Sequence, residues 1–199
     1  MSDARAFSWR AELSRKGIHL ASAAFPLAWG LGIVAPAVVK IVLAVGLGIA
    51  IGLEIGRRRV PAVRRWFTAW FGGMLRPHEA QSLTGATWIL AAMFGCALLL
   101  PERAALCALW AAVVGDASAA LVGRALASRA AAQGKTYAGS AACMLTSAVG
   151  PWWLASASPL AALGIGFAAA LAERPRLALD DNARVAVAVG LAAWGLGVA

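Results

Sequence analysis

Charged residues are scarce in this chain, and their scarcity argues against an ordinary soluble fold. Only 14% of the 199 residues are charged and 61% are hydrophobic, whereas soluble domains carry about 25% charged residues. The three cysteines lie singly in apolar stretches, so they give neither a disulfide framework nor metal-ligand spacing. No stretch is long and polar enough to fold alone. Composition therefore predicts one membrane-embedded domain over residues 1–199.

Long apolar runs make up most of the sequence. A helix needs about 20 mainly apolar residues to cross a bilayer, and Pro36, Pro101 and Pro159 mark turns between neighbouring runs. We expect an all-α integral membrane protein, a polytopic bundle of about seven transmembrane helices. The predicted spans are 18–35, 37–55, 83–100, 103–122, 138–156, 158–172 and 184–199.

The positions of the basic residues predict the orientation. If the N-terminus is cytoplasmic and seven spans alternate, every Lys and Arg except Lys40 and Arg103 falls on the cytoplasmic side, as the positive-inside rule requires. A signal peptide ending at Ala35-Pro36-Ala37 is the alternative for the first run. We expect a multi-pass protein, in a bacterial inner membrane, with its polar ends facing the cytoplasm. The net charge of +9 then reflects topology, and we expect no nucleic-acid partner.

Acidic residues at membrane depth are costly and are candidate site residues. Asp116 follows Gly115 inside an apolar run, where a bound cation or an arginine partner would relieve the cost of an unpaired carboxylate. Asp180 and Asp181 come directly before the last predicted span. They are either a helix cap or a pair of oxygen ligands that suits Mg²⁺.

The segment before the first span has a polar face. Glu12, Arg15, Lys16 and His19 follow helical spacing, so they share one side of a helix. An amphipathic helix on the membrane surface is one interpretation, and a polar site at the end of the bundle is the other.

Gly134-Lys135-Thr136 resembles the end of a phosphate-binding P-loop. That motif requires a glycine at residue 129 and a preceding strand, but this chain has Arg129 in an alanine-rich segment. We therefore reject a P-loop. Lys135 remains a candidate for binding phosphate as a point charge, with the small residues Thr136, Gly139 and Ser140 beside it.

Several of these residues belong to short motifs that follow one another along the chain. The first two are Gly115-Asp116-x-x-Ala119-x-x-x-Gly123-Arg124 and Lys135-Thr136-Tyr137-Ala138-Gly139-Ser140. The others are Glu12-x-x-Arg15-Lys16-x-x-His19, Arg76-x-x-Glu79 with Leu83-Thr84-Gly85-Ala86-Thr87, and Glu173 with Asp180-Asp181-Asn182. Together they resemble the membrane kinases that use CTP to phosphorylate lipid alcohols: phytol kinase, dolichol kinase and the yeast-type diacylglycerol kinase. The KTYAGS form is most similar to the phytol-kinase branch.

The resemblance implies a lipid kinase. Such an enzyme transfers the γ-phosphoryl group of CTP to the hydroxyl of a phytol-like or polyprenol-like alcohol, or of diacylglycerol. It implies Mg²⁺ as cofactor, held by Asp116 with Asp180 or Asp181. It implies catalytic roles for Asp116 and Lys135, and for a proton acceptor among Glu12, Glu79 and His19. The implied nucleotide-binding residues are Arg15, Lys16, Gly115, Gly123, Arg124, Lys135, Thr136, Gly139 and Ser140, although close helix packing alone also explains the glycines 115 and 123.

Three rival functions share part of this pattern. A cytidylyltransferase would use the same nucleotide site and make a CDP-lipid from a substrate such as phosphatidic acid. The related CDP-diacylglycerol synthases carry a Gly-His-Gly-Gly signature near the C-terminus, which this sequence lacks. A transporter would carry its charges near the membrane midplane and show repeats. A purely structural membrane protein gives no reason for Asp116. The sequence leaves open the lipid, the choice of CTP over ATP, and homo-oligomerisation.

Overall fold

The regular structure of the described chain is helical throughout. The structure, a computed structural model, describes residues 9–75, 77–126, 135–175 and 180–199, and it has no strand within these ranges. The helices are α1 Trp9–Ala21, α2 Ala24–Gly30, α3 Pro36–Arg59, α4 Pro61–Phe71, α5 Gly85–Leu99, α6 Glu102–Trp110, α7 Asp116–Ala125, α8 Tyr137–Trp153, α9 Pro159–Glu173 and α10 Asp181–Gly195. A 3₁₀ turn, Pro77–Ala80, precedes α5, and a π-helical segment, Ala111–Gly115, joins α6 to α7.

The apolar runs after residue 35 correspond to helices, whereas the first predicted span does not. Residues 18–35 contain the end of α1, the short helix α2 and a turn. Pro26 has no N–H to continue the hydrogen-bond ladder through this segment. Gly32 then adopts a positive φ of 68°, which favours glycine and ends the helix. The prediction of one continuous helix there was wrong.

Within the described ranges, two helices are long and apolar enough to cross a membrane: α3, and the continuous helix from Glu102 to Ala125. The first is mostly exposed along its apolar window, while the second is mostly buried. The helices α5 and α9 are apolar but shorter. Because a core helix of a soluble protein can meet the same criterion, the number of spans stays a prediction.

The core forms where α6 meets α10 and where α8 packs against α9. Small residues allow this close packing. A Cβ at Gly150 would lie 2.4 Å from the Trp110 ring, and a Cβ at Gly166 would lie 2.3 Å from the Met144 carbonyl oxygen. Side chains at these glycines would push the helices apart, so they are sites of close helix approach.

Large apolar side chains also cover much of the outer surface. Ile41 and Ile49 on α3 are 62% and 60% exposed, and Leu160 on α9 is 82% exposed. Further exposed examples lie on α8, α9 and α10: Leu145, Trp152, Trp153, Phe167, Leu171, Val187, Leu191 and Trp194. Soluble monomers rarely expose large contiguous apolar surface, so the outer face of this bundle suits an apolar surrounding.

Candidate functional site

One cavity of about 340 Å³ gathers polar residues from distant parts of the chain. It lies between α1, the end of α3, the start of α5, the start of α7 and the start of α10. Its charged and polar lining residues are Arg15, Lys16, His19, Ser22, Glu54, Glu79, Thr84, Thr87, Asp116, Asp180, Asp181 and Asn182. The helix ends that the sequence marked as polar therefore meet at one site.

Asp116 forms the centre of the first ion-pair cluster. Asp116 is 8% exposed, and its carboxylate accepts a hydrogen bond from the Lys16 ammonium. His19 Nε2 lies 3.6 Å from the same carboxylate oxygen. Burying a carboxylate is favourable only when it is paired and hydrogen-bonded. The sequence argument gave a bound cation or an arginine as the partner of Asp116; in the structure the partner is neither of these but the Lys16 ammonium.

The π-helical segment before Asp116 explains how α1 reaches it. The Asp116 N–H bonds to the carbonyls of Ala111 and Val113, not to that of Ala112, its α-helical partner. The Ala112 carbonyl instead accepts a hydrogen bond from His19 Nε2, at 3.1 Å. Such π segments inside α-helices are frequent at functional sites. Here the change in backbone register provides a fixed acceptor for His19 one turn from Asp116.

Lys135 forms a second cluster next to the cavity. Its ammonium lies 2.5 Å from Glu173 Oε1 and 2.6 Å from Asp181 Oδ2. Arg184, one helical turn after Asp181, contacts the other oxygen of that carboxylate. Burial lowers the pKa of Lys135, but the bonds to Asp181 and Glu173 outweigh it and hold the pKa above its ordinary value. Lys135 is therefore a fully charged ammonium at neutral pH.

Asn182, a residue of the cavity lining, carries a buried acceptor without a partner. Asp180 Oδ1 caps α10 by accepting from the Asn182 N–H at 2.9 Å, and it accepts from Asn182 Nδ2 at 2.8 Å. These two bonds fix the amide orientation. Asn182 is 8% exposed, and its Oδ1 has no partner. Ser140 Oγ and Glu173 Oε2 are also buried without partners. Buried unpaired polar atoms are rare and call for an explanation, and a bound ligand would supply one.

A buried network around Glu54 forms another wall of the cavity. Its Oε2 accepts two hydrogen bonds from Arg57, at 2.8 and 2.6 Å, and its Oε1 accepts from the Thr84 N–H at 2.8 Å. Arg57 also donates to the carbonyls of Glu79 and Ser82. This network ties the segment before α5 to the end of α3.

Glu79 lies on that segment. It is 5% exposed, and its Oε1 accepts from the Gly85 N–H at 2.9 Å. Thr87 adds a hydroxyl 3.3 Å from Glu54 Oε1. The carboxylates of Glu54 and Glu79 thus both meet the N-terminus of α5, where exposed N–H groups favour negative charge.

The glycines of the implied nucleotide site have packing roles in this structure. A Cβ at Gly115 would lie 2.1 Å from Ser147 Oγ, and one at Gly139 would lie 2.7 Å from the Ala119 carbonyl oxygen. Gly123 faces Gly139, since its Cβ would lie 3.5 Å from the Gly139 Cα. These glycines bring α7 and α8 into contact, as close helix packing predicts. A nucleotide-binding role for them stays a prediction.

The remaining predicted residues divide into two groups. Those that line the cavity are Arg15, Lys16, His19, Glu79, Asp116, Asp180 and Asp181, and Lys135 reaches it through Asp181. Arg124, Thr136 and Ser140 are not among its lining residues. Thr136 caps α8, its Oγ1 accepting from the Gly139 N–H at 3.0 Å. The Glu12 side chain lies outside the part that the structure describes.

Sequence reasoning did not assign roles to several residues of this site. Glu54, Thr84 and Thr87 form a hydrogen-bonded wall, and Asn182 and Glu173 carry unpaired oxygens. Glu54 gave a usable signal, because an acid at the end of an apolar run does not help to orient a helix. Asn182 gave none, since an asparagine after two acids is common at a helix start.

The acids do not form a ready metal centre. Within the described ranges, no group of three or more His, Cys, Asp or Glu side chains is close enough to hold a metal ion. Asp116 is paired with Lys16, and Asp181 with Lys135 and Arg184. The donors are nevertheless hard oxygens, which suit Mg²⁺. Asn182, whose buried Oδ1 has no partner, is also a residue of the cavity lining.

Comparison with protein-family models, curated proteins and solved structures found no match to this chain. The family resemblance therefore stands on the sequence motifs alone. Function has to be argued from the chemistry of the cavity and of the residues around it.

Proposed function

We propose that this protein is a membrane phosphotransferase that moves the γ-phosphoryl group of CTP to the hydroxyl of a lipid alcohol. One observation carries the proposal: residues from four of the five ordered sequence motifs line a single cavity, and Lys135 of the fifth motif contacts Asp181 at its edge. Lys16, Glu79, Asp116 and Asp181 come from four of these motifs and share it. Helix packing alone does not explain why charged residues so far apart in the chain lie around one cavity.

The cavity has two chemical characters. Its polar side carries carboxylates and ammonium groups, while its other side is lined by Leu53, Phe67, Phe71, Met74, Ile89 and Leu90. A ligand that combines a charged group with an apolar chain matches both sides. This dual character supports a lipid whose head group meets a phosphate donor.

A multi-pass arrangement is supported by the outer surface and by the basic residues. The exposed isoleucines and leucines of α3 and α9 face outward, where lipid would cover them. Arg57, Arg58 and Arg59 form the last turn of α3, directly after the cavity-lining residue Glu54, in line with a cytoplasmic position. CTP would reach the cavity from that side.

Two lysines are suited to binding phosphate. Lys16 and Lys135 each contact carboxylates, so their ammonium groups are already held at the site. An arriving triphosphate would offer each lysine a second anionic partner. Phosphoryl transfer depends mainly on such positioning and charge neutralisation.

The acids would then hold Mg²⁺. Asp116, Asp181 and the Asp180–Asn182 pair supply the oxygen donors that this ion prefers. When bound, Mg²⁺ would neutralise the negative charge that develops on the phosphates during transfer.

In the proposed reaction the oxygen of the lipid hydroxyl bonds to the γ-phosphorus. The bond between that phosphorus and the β–γ bridging oxygen breaks, and CDP leaves with this oxygen. The hydroxyl proton passes to the Glu79 carboxylate, which lines the cavity and is oriented by the Gly85 N–H. His19 is the alternative acceptor, and Glu12 is a further one suggested by the motifs.

The test is transfer of label from CTP. The full chain, reconstituted in lipid nanodiscs with Mg²⁺, is incubated with phytol, a polyprenol, diacylglycerol or phosphatidic acid, and with CTP labelled at the α or γ position. The proposal predicts that γ-label alone enters a lipid alcohol. It predicts no transfer by Lys135→Ala or Asp116→Asn, each compared with Lys40→Ala, a lysine near the start of α3 that does not line the cavity.

Other results would overturn the proposal in distinct ways. Incorporation of α-label alone would make the protein a cytidylyltransferase, and transfer from γ-ATP but not from CTP would remove the assigned nucleotide. No transfer from either nucleotide to any lipid would exclude the kinase function for these substrates. Full activity in the Asp116 and Lys135 variants would show that the reaction occurs elsewhere.

A further inference from the structure

Helix α4, Pro61–Phe71, is the least enclosed long element of the described chain. It follows α3 after a break at Val60, whose extended backbone and the proline that follows end one helix and start the next. None of its side chains is buried. Only Val63, Phe67 and Phe71 are half-buried. The other side chains of α4 are exposed, so packing against the rest of this chain leaves much of their surface uncovered.

The side chains of α4 divide into two faces. At 100° per residue, Trp66, Trp70, Val63, Phe67 and Phe71 form one continuous apolar arc. The polar residues Arg64, Arg65 and Thr68 occupy the opposite arc. Half of the apolar arc points away from the protein, because Trp66 and Trp70 are 47% and 71% exposed.

We propose that α4 is an in-plane membrane helix that binds the anionic headgroup surface and gives the lipid substrate a lateral route into the cavity. The inference rests on the proposed membrane insertion and substrate class. Tryptophan beside arginine is typical of helices that lie in the membrane interface. The indole rings would sit at headgroup depth, and Arg64 and Arg65 would meet lipid phosphates.

The position of α4 relative to α3 supports an interfacial location. Arg57, Arg58 and Arg59 form the last turn of α3, a helix long enough to span a bilayer. Basic residues at the end of a span mark the cytoplasmic interface. Because α4 begins two residues later, its first turn lies at the same depth. Val63 packs closely over Gly56 there, since a Cβ at Gly56 would lie 3.1 Å from Val63 Cγ1.

The inner side of α4 forms part of the cavity wall. Phe67 and Phe71 line the cavity, and their rings contact each other, with centroids 5.2 Å apart. The Arg57 guanidinium lies over the Phe67 ring, 5.3 Å from its centroid. The same helix thus has a face toward the polar site and an exposed indole edge beside it. A lipid moving past Trp70 would meet Phe71 and then the cavity.

Spin labels can test this placement without any activity assay. Single cysteines are introduced at Arg65, Ala69, Trp66 and Trp70 of the full chain, in nanodiscs of phosphatidylglycerol that hold one copy. The native cysteines are buried, so labelling is selective. All four positions are exposed in the protein alone, so differences between them report the surroundings.

The expected pattern is two-sided. Labels at positions 66 and 70 should be relaxed more by oxygen, and labels at 65 and 69 more by a water-soluble nickel chelate, by roughly tenfold in the ratio. Nickel access at all four positions would mean that α4 projects into water and would overturn the inference. If neither oxygen nor the nickel chelate reaches the labels at positions 66 and 70, protein covers this face, and that result would also overturn the inference.

A kinetic experiment tests the route separately. Trp66→Ser with Trp70→Ser should raise KM about tenfold for a long-chain alcohol in the bilayer, while leaving kcat and the KM for a short water-soluble alcohol unchanged. Equal losses for both alcohols would remove the lateral route. If no kinase activity exists in the parent chain, the proposed function and the route fail, but the spin-label pattern still tests the in-plane position.

Discussion

Lys16 and Asp116, 100 residues apart in sequence, form a buried ion pair that joins α1 to the start of α7. Both side chains are nearly inaccessible, at 6% and 11% exposure. Removing either partner leaves the other charge buried and unpaired. We expect Lys16→Met or Asp116→Asn to lower the free energy of unfolding by about 3–5 kcal/mol each. Thermal unfolding in detergent, followed by circular dichroism, measures the effect.

The double variant separates this pair from general damage to the core. With both Lys16→Met and Asp116→Asn, no charge is left unpaired, so the combined loss should be well below the sum of the single losses. Arg59→Met, an exposed basic residue, provides the control with little effect. Additive losses in the double variant would show that the two residues act independently.

The ion pairs of Lys135 should make the free energy of unfolding fall at alkaline pH. Its pKa is held above the ordinary value by Asp181 and Glu173 against the opposing effect of burial. A raised folded-state pKa means that the stabilisation is fully present below the unfolded value of about 10.4 and is lost as pH rises through the folded pKa. We expect unfolding temperatures to fall above about pH 10.4, and this part of the fall should vanish in Lys135→Met.

Unfolding temperatures of Lys135→Met and of the parent chain have to be compared at neutral pH and at alkaline pH. Between pH 6 and 9 the two curves should run parallel, since this lysine does not titrate there. A Lys40→Met variant, whose lysine is the fifth residue of α3, should retain the parent's alkaline slope. Identical slopes in the Lys135 variant and the parent would mean that the ion pairs do not stabilise the fold.

Helical periodicity and composition predicted most of the helices because the runs of apolar residues are long and bounded by proline. The segment 18–35 was missed because composition does not report a local break. Pro26 and the positive φ of Gly32 divide an apolar stretch that otherwise has the right length. Whether the helices cross a bilayer depends on their surroundings, which neither the spacing nor the fold determines.

The site was predicted in part, and the reason lies in which interactions leave a sequence signal. An acid in an apolar run, such as Asp116 or Glu54, is conspicuous because its burial requires a partner. Arg57 lies three residues after Glu54, so helical spacing already places this pair on one face. The partner of Asp116 depends on a tertiary contact 100 residues away, so Lys16 could not be assigned from spacing. The unpaired oxygen of Asn182 depends on the orientation of one amide, which is visible only in three dimensions.

Ser140 can separate a structural role from a ligand-binding one. Its hydroxyl is buried and has no partner, so Ser140→Ala removes a polar group that the fold does not satisfy. We expect stability to stay equal or to rise by about 1 kcal/mol. If Ser140 donates to the nucleotide, KM for CTP should rise about tenfold at the same time. Thermal unfolding and label-transfer kinetics on the same sample measure both.

The two outcomes for Ser140 carry different consequences. A more stable protein with a raised KM would assign the hydroxyl to ligand binding. Unchanged kinetics would remove Ser140 from the nucleotide site. Ser118→Ala is the matched control, since the Ser118 hydroxyl already donates to the Gly115 carbonyl and contacts Thr146 Oγ1 at 2.6 Å, so its loss should destabilise the protein.

Gly115 allows a direct test of packing against nucleotide binding, the two explanations of the glycine motif. Gly115→Ala would bring a Cβ to within 2.1 Å of Ser147 Oγ, whereas the Ser147 Cβ would lie 3.5 Å away. The single substitution should cost about 1–3 kcal/mol through overpacking. Adding Ser147→Ala removes the clashing oxygen and should restore most of the unfolding temperature. Gly48→Ala, with no atom within 4 Å of the added Cβ, is the neutral control.

Activity of the rescued Gly115→Ala/Ser147→Ala protein then decides between the explanations. If Gly115 is needed only for helix contact, restored stability should bring restored turnover, because Asp116 regains its position beside Lys16. If the backbone at Gly115 must approach a nucleotide closely, the added methyl group still obstructs it, and turnover stays low in a stable protein. We expect restored turnover, since the contact with Ser147 already accounts for the glycine, and a stable but inactive double variant would contradict that assignment.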